Sequence, residues 1–542
     1  MTRVPERVPV LVVGGGPSGL AAAIELGRRG VEVLVVEPRT VLDPLRPRAK
    51  TTSVRTMEHL RRWGIAERLR AQAPLPVEHA QDVVFVTGLF GHEITRFENA
   101  FGLWTDPQEV AAEAGQQAPQ PMVEEVLREA AAALPTVTLL TGWRAVSVAD
   151  GVGAARAVVE DPDGTTHEIS ADYLLGCDGS SGVSRAAIGA RYEGSSGTLP
   201  NLSITFRSSA LEERELCALG IHYWVIGARY GGLMGRLDLD GTWWAIVQGI
   251  DRPDGVDPVA LVRALAGDAI DVDVLATDPW SARMLLVDRY RGERVLLVGD
   301  AAHLNPPWGG HGFNTCVGDA VNLGWKLAAV LQGWAPPSLL DSYEAERRPV
   351  AYRTIGAAGD QEAFLAPSFA DVDLDDDGTA GQLLRGDLAH RLDVKDAEFH
   401  SLGLVLGYDY PDSPVVVPDG RPVPPQSLTE YTPSAHPGAR LPHAWLPDGR
   451  SVFDLLGDGF TLLRLSADAD AGPLIAAATD AGLPLAVVDL PDLRPLYDAD
   501  LVLVRPDQHV AWRGSTGDQP HDLFRTVVGG ADVVADLEEI TR

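Results

Sequence analysis

The chain has 542 residues, 45% of them apolar and 22% charged, which is more than one hydrophobic core usually supports, so two or three folded domains are expected. Its 76 acidic against 45 basic side chains give a formal charge of -31, which argues against a nucleic-acid duplex or an anionic membrane surface as partner and leaves any anionic ligand to local arginines and backbone amides. Three scattered cysteines, Cys177, Cys217 and Cys316, fit neither a disulfide framework nor a zinc site and point to a reducing, cytoplasmic compartment. No run of about 20 apolar residues occurs, and the opening MTRVPERVPVLVVGGG does not read as a signal peptide.

In chain order, VPVLVV at 8–13 is an apolar run of strand type, followed by GGGPSG and a helical pattern, LAAAIELGRRG, that closes at Gly30. With the strand VEVLVVE at 31–37 it makes a βαβ unit of parallel strands and right-handed crossover. Alternating strands are expected at 143–149 and 154–160, then a hairpin turn at Asp161–Gly164 and a buried run at 172–179. Residues 199–249 are rich in strands and aromatics and read as a separate antiparallel sheet. ERVLLVGD returns to the nucleotide-type architecture, and a helix is expected from Gly318 through Leu331. Between 366 and 430 the composition shifts to Pro, Asp and Gly, which suggests a surface excursion or linker before a small final α/β unit. Asp373, Asp375 and Asp377 imitate the start of a calcium loop, but Leu384 stands where the bidentate Glu belongs, so a solvated acidic turn and no metal site are expected.

Two glycine clusters carry the chemistry. In GGGPSG, Gly14 permits a tight turn, Gly16 leaves room for a pyrophosphate on backbone amides, Ser18 opens the helix and Gly19 lets it pack on the strand. The helix N-terminus adds partial positive charge, and Glu37 ends the next strand where a carboxylate can accept adenosine-ribose hydroxyls. That fingerprint serves NAD, NADP and FAD alike. The second cluster, GDAAHLNPPWGGHGFN at 299–314, repeats the logic of strand, acid and glycine-rich loop opening a helix, and one nucleotide needs both only if it is long enough to lie across them, as FAD is. Asp300 would bind the ribityl chain, while the amides from Gly310 through Gly312 and Phe313 to Asn314 face the flavin and stabilise negative charge on the reduced ring.

These residues bring the chain to a family. With CDGSSGVSR at 177–185, the two clusters give it the order and spacing of the class A flavoprotein aromatic hydroxylases, of the para-hydroxybenzoate and phenol hydroxylase type, which it resembles over roughly residues 8–360. Within them it is most similar to enzymes that oxidise aromatic polyketides and rifamycins. The resemblance implies a Rossmann-like FAD-binding domain of glutathione-reductase type (1–75, 100–190 and 280–365), an inserted antiparallel-sheet substrate domain (76–99 and 191–279) and a thioredoxin-like C-terminal domain (431–542). That last unit contains no cysteine and so could not exchange dithiols.

Position by position, the resemblance implies that Glu37 and Arg39 contact the adenosine side. Arg48 reaches the pyrophosphate and helps receive NADPH or NADH, and Gln120 contacts the ribityl and phosphate region. Asp178 is shared between FAD and the nicotinamide, with Arg185 closing its motif, and Gly182 departs from the usual Ser. Pro307 and Trp308 cover the flavin beside the substrate. The implied reaction consumes NAD(P)H and O2 and hydroxylates a polycyclic aromatic ring through a flavin C4a-hydroperoxide. Alternatives are a Baeyer-Villiger insertion, a non-oxygenating flavin reductase, and a flavoprotein that only binds an aromatic antibiotic.

Wide aromatic faces suit such a ring, so Phe206, Tyr223, Trp224, Trp243, Trp244 and Trp308 are candidate linings. Trp308 and His311 are the catalytic candidates; His303 reads as structural. A homodimer is left open.

Overall fold

The computed structural model describes residues 4–251, 255–516 and 519–530. The last residues of the C-terminal unit, 531–542, lie outside them.

Two large sheets organise the molecule. In the first, the strand Arg7–Val13 runs parallel between Val33–Glu37 and Thr166–Gly176, with Val137–Thr141 beyond Val33–Glu37. The long strand Thr166–Gly176 serves two partners along one edge. Its first half pairs antiparallel with Ala155–Glu160, across the turn expected at Asp161–Gly164, and its last residues pair parallel with Val295–Leu297. Val10, Leu11 and Val12 have no solvent exposure because both faces of the sheet are covered, which is why the sequence runs apolar there instead of alternating. The helices Pro17–Arg28 and His311–Gln332 pack so closely that a Cβ on Gly324 would stand 2.5 Å from that of Glu25.

The second sheet has eight strands and takes in Val83–Val86 and Glu93–Phe97 beside the aromatic block. At its centre Thr242–Gln248 pairs antiparallel with both Tyr192–Arg207 and Gly231–Arg236, and His222–Ile226 lies next to Gly231–Arg236. Successive side chains on each strand point to opposite faces. One face, carrying Phe206, Tyr223 and Trp243, is sealed by the helix Pro258–Ala266. The other, carrying Phe85, Trp224 and Trp244, turns toward Trp308.

Two expectations need correction. The helix placed at Gly318–Leu331 begins earlier, at His311, because the glycines that obscured its start belong to its first turns. Residues 366–430 are not simply a linker. They include the helix Thr379–Arg391, and Phe369, Leu374, Leu388, Leu392 and Phe399 are buried against the Trp224 face of the sheet. Those apolar anchors are spread thinly through a polar stretch, so composition hides them. From 407 to 430 no helix or strand forms.

The final unit has strands ordered Leu485–Asp489, Phe460–Arg464, Leu501–Val504, Val510–Gly514, the first pair parallel and the rest antiparallel. Buried charges fix it to the first sheet's helices: Arg505 pairs with Glu346 at 2.6 Å, Lys326 with the same carboxylate at 2.6 Å, and Trp325 Nε1 donates to Asp507 at 3.1 Å. Removing one partner from such a buried cluster leaves an uncompensated charge.

Candidate active site

The turn after Arg7–Val13 has the geometry its glycines suggest. Gly14 has φ +105°, and a Cβ there would fall on the carbonyl of Cys177; a Cβ on Gly19 would fall on the carbonyl oxygen of Gly14. Gly16 differs, for its nearest neighbour would be Arg39 Nη2 at 3.7 Å, so the space before the helix Pro17–Arg28 is open and no side chain caps that end. Glu37 is 3% exposed. One of its oxygens accepts from the Gly15 amide at 2.7 Å and the other from Arg39 Nε at 2.6 Å, while Arg39 also reaches Glu124 at 3.1 Å. The carboxylate therefore braces the turn and orients the arginine.

The second turn lies on the same sheet edge. Its strand, Val295–Leu297, and the strand Arg7–Val13 are parallel neighbours on either side of Thr166–Gly176, which puts the two turns about 10 Å apart at two strand spacings. They also touch, since a Cβ on Gly299 (φ +65°) would strike Ser18 Oγ. Asp300 is exposed, and its backbone carbonyl accepts from the Tyr192 hydroxyl. Behind it, buried His303 Nε2 bonds Asp319 at 2.7 Å, Arg347 Nε bonds the other oxygen at 2.8 Å, and the Gly299 amide donates to the same carboxylate at 3.3 Å. Burial opposes charge on His303, but Asp319 outweighs it and holds the pKa above the ordinary value. This histidine supports the turn.

Further along, Gly309 and Gly310 are both left-handed, at φ +75° and +68°, and lead into His311–Gln332 with no side-chain cap. The first amides of that helix, including Gly312 and Phe313, have no partner within it. Asn314 clamps the neighbouring strand instead: it accepts from the Ser53 amide at 2.9 Å and donates to the carbonyls of Thr51 at 3.1 Å and Gly310 at 2.7 Å. Gln120 bonds Ala49 in both directions, at 2.8 and 3.2 Å, and so presents the loop bearing exposed Arg48.

Asp178 accepts from the Ser184 amide at 2.9 Å, but its Oδ1 is buried without a partner, and burial raises its pKa. The departure at Gly182 has a structural consequence, because a Cβ there would overlap this carboxyl group. Arg185 lies 4.1 Å over the Tyr192 ring and donates to the Ser180 carbonyl at 2.7 Å. An open glycine cradle, an uncapped helix start, an exposed Asp300 and an orphaned Asp178 oxygen together fit an elongated dinucleotide lying across both turns.

The aromatic candidates divide by sheet face. Trp308 is buried, donates to Glu362 at 2.7 Å and stands 6.2 Å from both Trp224 and Trp280. Trp224 and Trp244 share its side. Phe206, Tyr223 and Trp243 do not line that side; one-residue alternation along each strand turns them to the core under Pro258–Ala266. There Trp243 Nε1 donates to Glu212 at 2.9 Å and the Tyr223 hydroxyl donates to the Ala218 carbonyl at 3.2 Å. Pro307 is exposed, and burial pushes His311 down to about 4, so its ring is neutral at pH 7.

Beside Gly309 and His311 lies a cavity of about 140 Å3, walled by Thr51, Phe101 and Phe399. Sequence reasoning missed Lys50, Phe101, Gln117, His222, Glu362 and Phe399. Lys50 stands within RPRAKT, but the sequence does not show that it lacks an anion; the others are assembled by pairings that sequence does not reveal.

Residues 7–358 match the FAD binding domain family, and residues 434–531 match the C-terminal domain of aromatic-ring hydroxylases. The FAD-dependent monooxygenase apdD of Emericella nidulans is 30% identical over 561 residues, covering 94% of this chain and 87% of that protein. Among solved structures, the rebeccamycin biosynthetic enzyme RebC with reduced flavin aligns with a TM-score of 0.89 at 34% identity, over 98% of this chain and 100% of that one. A ternary complex of aklavinone-11 hydroxylase with FAD and aklavinone aligns with a TM-score of 0.82 at 28% identity, over 97% and 100%. The chain is a flavoprotein of mixed α/β fold. It belongs to the FAD-dependent aromatic-ring hydroxylases and is an aromatic monooxygenase of that family. Among the described residues no helix is long and apolar enough to cross a membrane.

Proposed function

We propose that this protein is an NAD(P)H-consuming FAD monooxygenase that hydroxylates a polycyclic, polyketide-type aromatic compound. The observation that carries the reading is the uncapped helix start at His311: the helix packs at Cys316 on the Gly299 turn, which touches the Gly14–Gly19 turn at Ser18, and it opens beside the wall of Trp224, Trp244 and Trp308. Bound FAD would supply hydride acceptance from the nicotinamide and the activation of O2 for transfer of one oxygen atom to the ring.

The chain's own residues supply the rest. The Gly14–Gly19 turn, Glu37 and Arg39 hold the adenosine and pyrophosphate end, with Arg48 beside them for the nicotinamide's phosphates. Asp300 and Gln120 flank the ribityl chain. The amides of Gly312 and Phe313 stabilise negative charge at the flavin edge. Trp308, held by Glu362, positions the aromatic substrate, and the apolar wall excludes water. His311 is neutral and packed against the Gly309 turn, which favours a positioning part over proton transfer. The cavity is small against the ~300–1,000 Å3 of most ligand sites, so Phe101 and Phe399 would move to admit a polycycle.

In this reading the first sheet and its helices are the FAD domain, the eight-stranded sheet with residues 366–405 is the substrate domain, and the final unit is a thioredoxin-like appendix that acts by packing. Its strand order and buried Arg505–Glu346 pair support that part. Three unpaired cysteines suit a reducing cytoplasm.

The test is direct. Purified protein should be yellow, should consume NADPH faster when a suitable polycyclic phenol or quinone is added, and should place one atom of oxygen-18 gas in the product. A protein that takes up no FAD overturns the reading. Turnover without incorporated label marks a reductase, and stoichiometric binding without NADPH consumption marks a binding protein.

A further inference from the structure

The described residues hold a half-buried cation with no counterion, at a point the family resemblance did not mark. Lys50 follows the Arg48 loop, and its backbone is fixed where its carbonyl accepts from the Ala118 amide at 2.7 Å. Its ammonium sits 4.3 Å over the Trp244 ring with no carboxylate bonded to it. An indole face offsets only part of the cost of drawing a charge out of water, and groups perturbed in this way gather at functional sites.

Its surroundings are donors. Trp244 is 3% exposed, and its Nε1–H has no partner. The ring lies flat because its cross-strand neighbour is Gly235, where a Cβ would come within 2.8 Å of the indole. His222 meets Trp244 edge-on at 5.1 Å. The Thr51 hydroxyl donates to Gln117 Oε1 at 3.2 Å, and the Gln117 amide nitrogen then faces His222 Nε2 at 2.9 Å. That amide can only donate, so His222 Nε2 accepts, and its proton resides on Nδ1, which has no hydrogen-bond partner. Burial, reinforced by Lys50, pushes His222 down to about 3 and keeps it neutral. Lys50 therefore carries the charge of this cluster.

The cluster adjoins the cavity. Thr51 lines it and packs 3.2 Å from a Cβ built on Gly310, while Phe101 lines it and touches His222 at 5.3 Å between ring centres. Phe101 has φ +59° and its neighbours Asn99 and Gly102 are also left-handed, a strained stretch of the kind that gathers at functional sites.

Resting on the monooxygenase reading, we propose that Lys50, with Trp244 Nε1–H and His222 Nδ1–H, forms the receptor for an ionised oxygen of the aromatic substrate, so that the enzyme selects rings bearing a carboxylate or phenolate and Lys50 is its specificity-determining residue.

The test compares wild-type holoenzyme with K50M and K50R, using 2-naphthoate against neutral 2-naphthamide, and a nitrophenol whose absorbance reports its ionisation. Binding is read by tryptophan fluorescence, which does not require turnover, with flavin content measured alongside. Wild type should prefer naphthoate to the amide at least tenfold or should bind the nitrophenol as its phenolate; whichever arm responds identifies the group. K50M should keep its flavin but lose the preference, and K50R should recover part of it. Equal preference in wild type and K50M, or no anion preference in wild type, overturns the proposal. A colourless protein that still discriminates through Lys50 would sink the flavin reading alone.

Discussion

Trp243 and Trp244 are adjacent in sequence, yet they face opposite sides of one sheet and opposite fates. On the Trp243 side the polar atoms of the large aromatics are bonded within the protein, Trp243 to Glu212 and Tyr223 to Ala218. On the Trp244 side the indole nitrogens of Trp224 and Trp244 are buried without partners, and Lys50 has no anion. Buried donors that a fold leaves unpaired are costly, so their concentration on one face separates a surface completed by a ligand from one completed by its own core. The orphaned Asp178 oxygen near the glycine turns belongs to the first kind.

That contrast can be broken by substitution. Trp243→Ala should be the most damaging to the fold, costing about 3–5 kcal/mol in denaturant unfolding because it opens a cavity in a closed core. Ligand affinity of the surviving folded fraction should hardly change. Gly182→Ala should cost about 1–3 kcal/mol, as its Cβ must displace the Asp178 carboxyl group, and FAD affinity should fall with it.

Next in size is pH. Burial lowers Lys50 to about 8, so the free protein carries the receptor's charge below that value and loses it above. Naphthoate affinity should be flat from pH 6 to 7.5 and fall about tenfold per pH unit above about 8, while naphthamide affinity stays constant. Last, Trp244→Phe removes a donor that has no partner in the free protein. Stability should change by less than about 0.5 kcal/mol, whereas substrate affinity should drop by about 1 kcal/mol, visible as a raised KM with little change in kcat.

The FAD half of the molecule was largely legible because its chemistry is local. Gly14, Gly16 and Gly19 act within one turn, and Asp300 and Gly310 follow their strand by sequence alone. The substrate half was legible only as a list of aromatics. Which face Tyr223 or Trp224 takes depends on strand register, and a shift of one residue exchanges the faces. Lys50 was passed over because its significance lies in what is missing around it. Gln117, His222 and Phe399 come from segments far apart in the chain, and the wall contributed by residues 366–405 hides behind a composition that reads as linker.

The central claim is that one FAD spans both glycine turns, and a flavin titration of the apoprotein tests it most directly. Wild type should bind one FAD per chain, and Gly14→Val and Gly299→Val, on different strands, should each abolish that binding in protein that remains folded by circular dichroism. Two equivalents of bound nucleotide, or full FAD affinity in folded Gly299→Val, would contradict it.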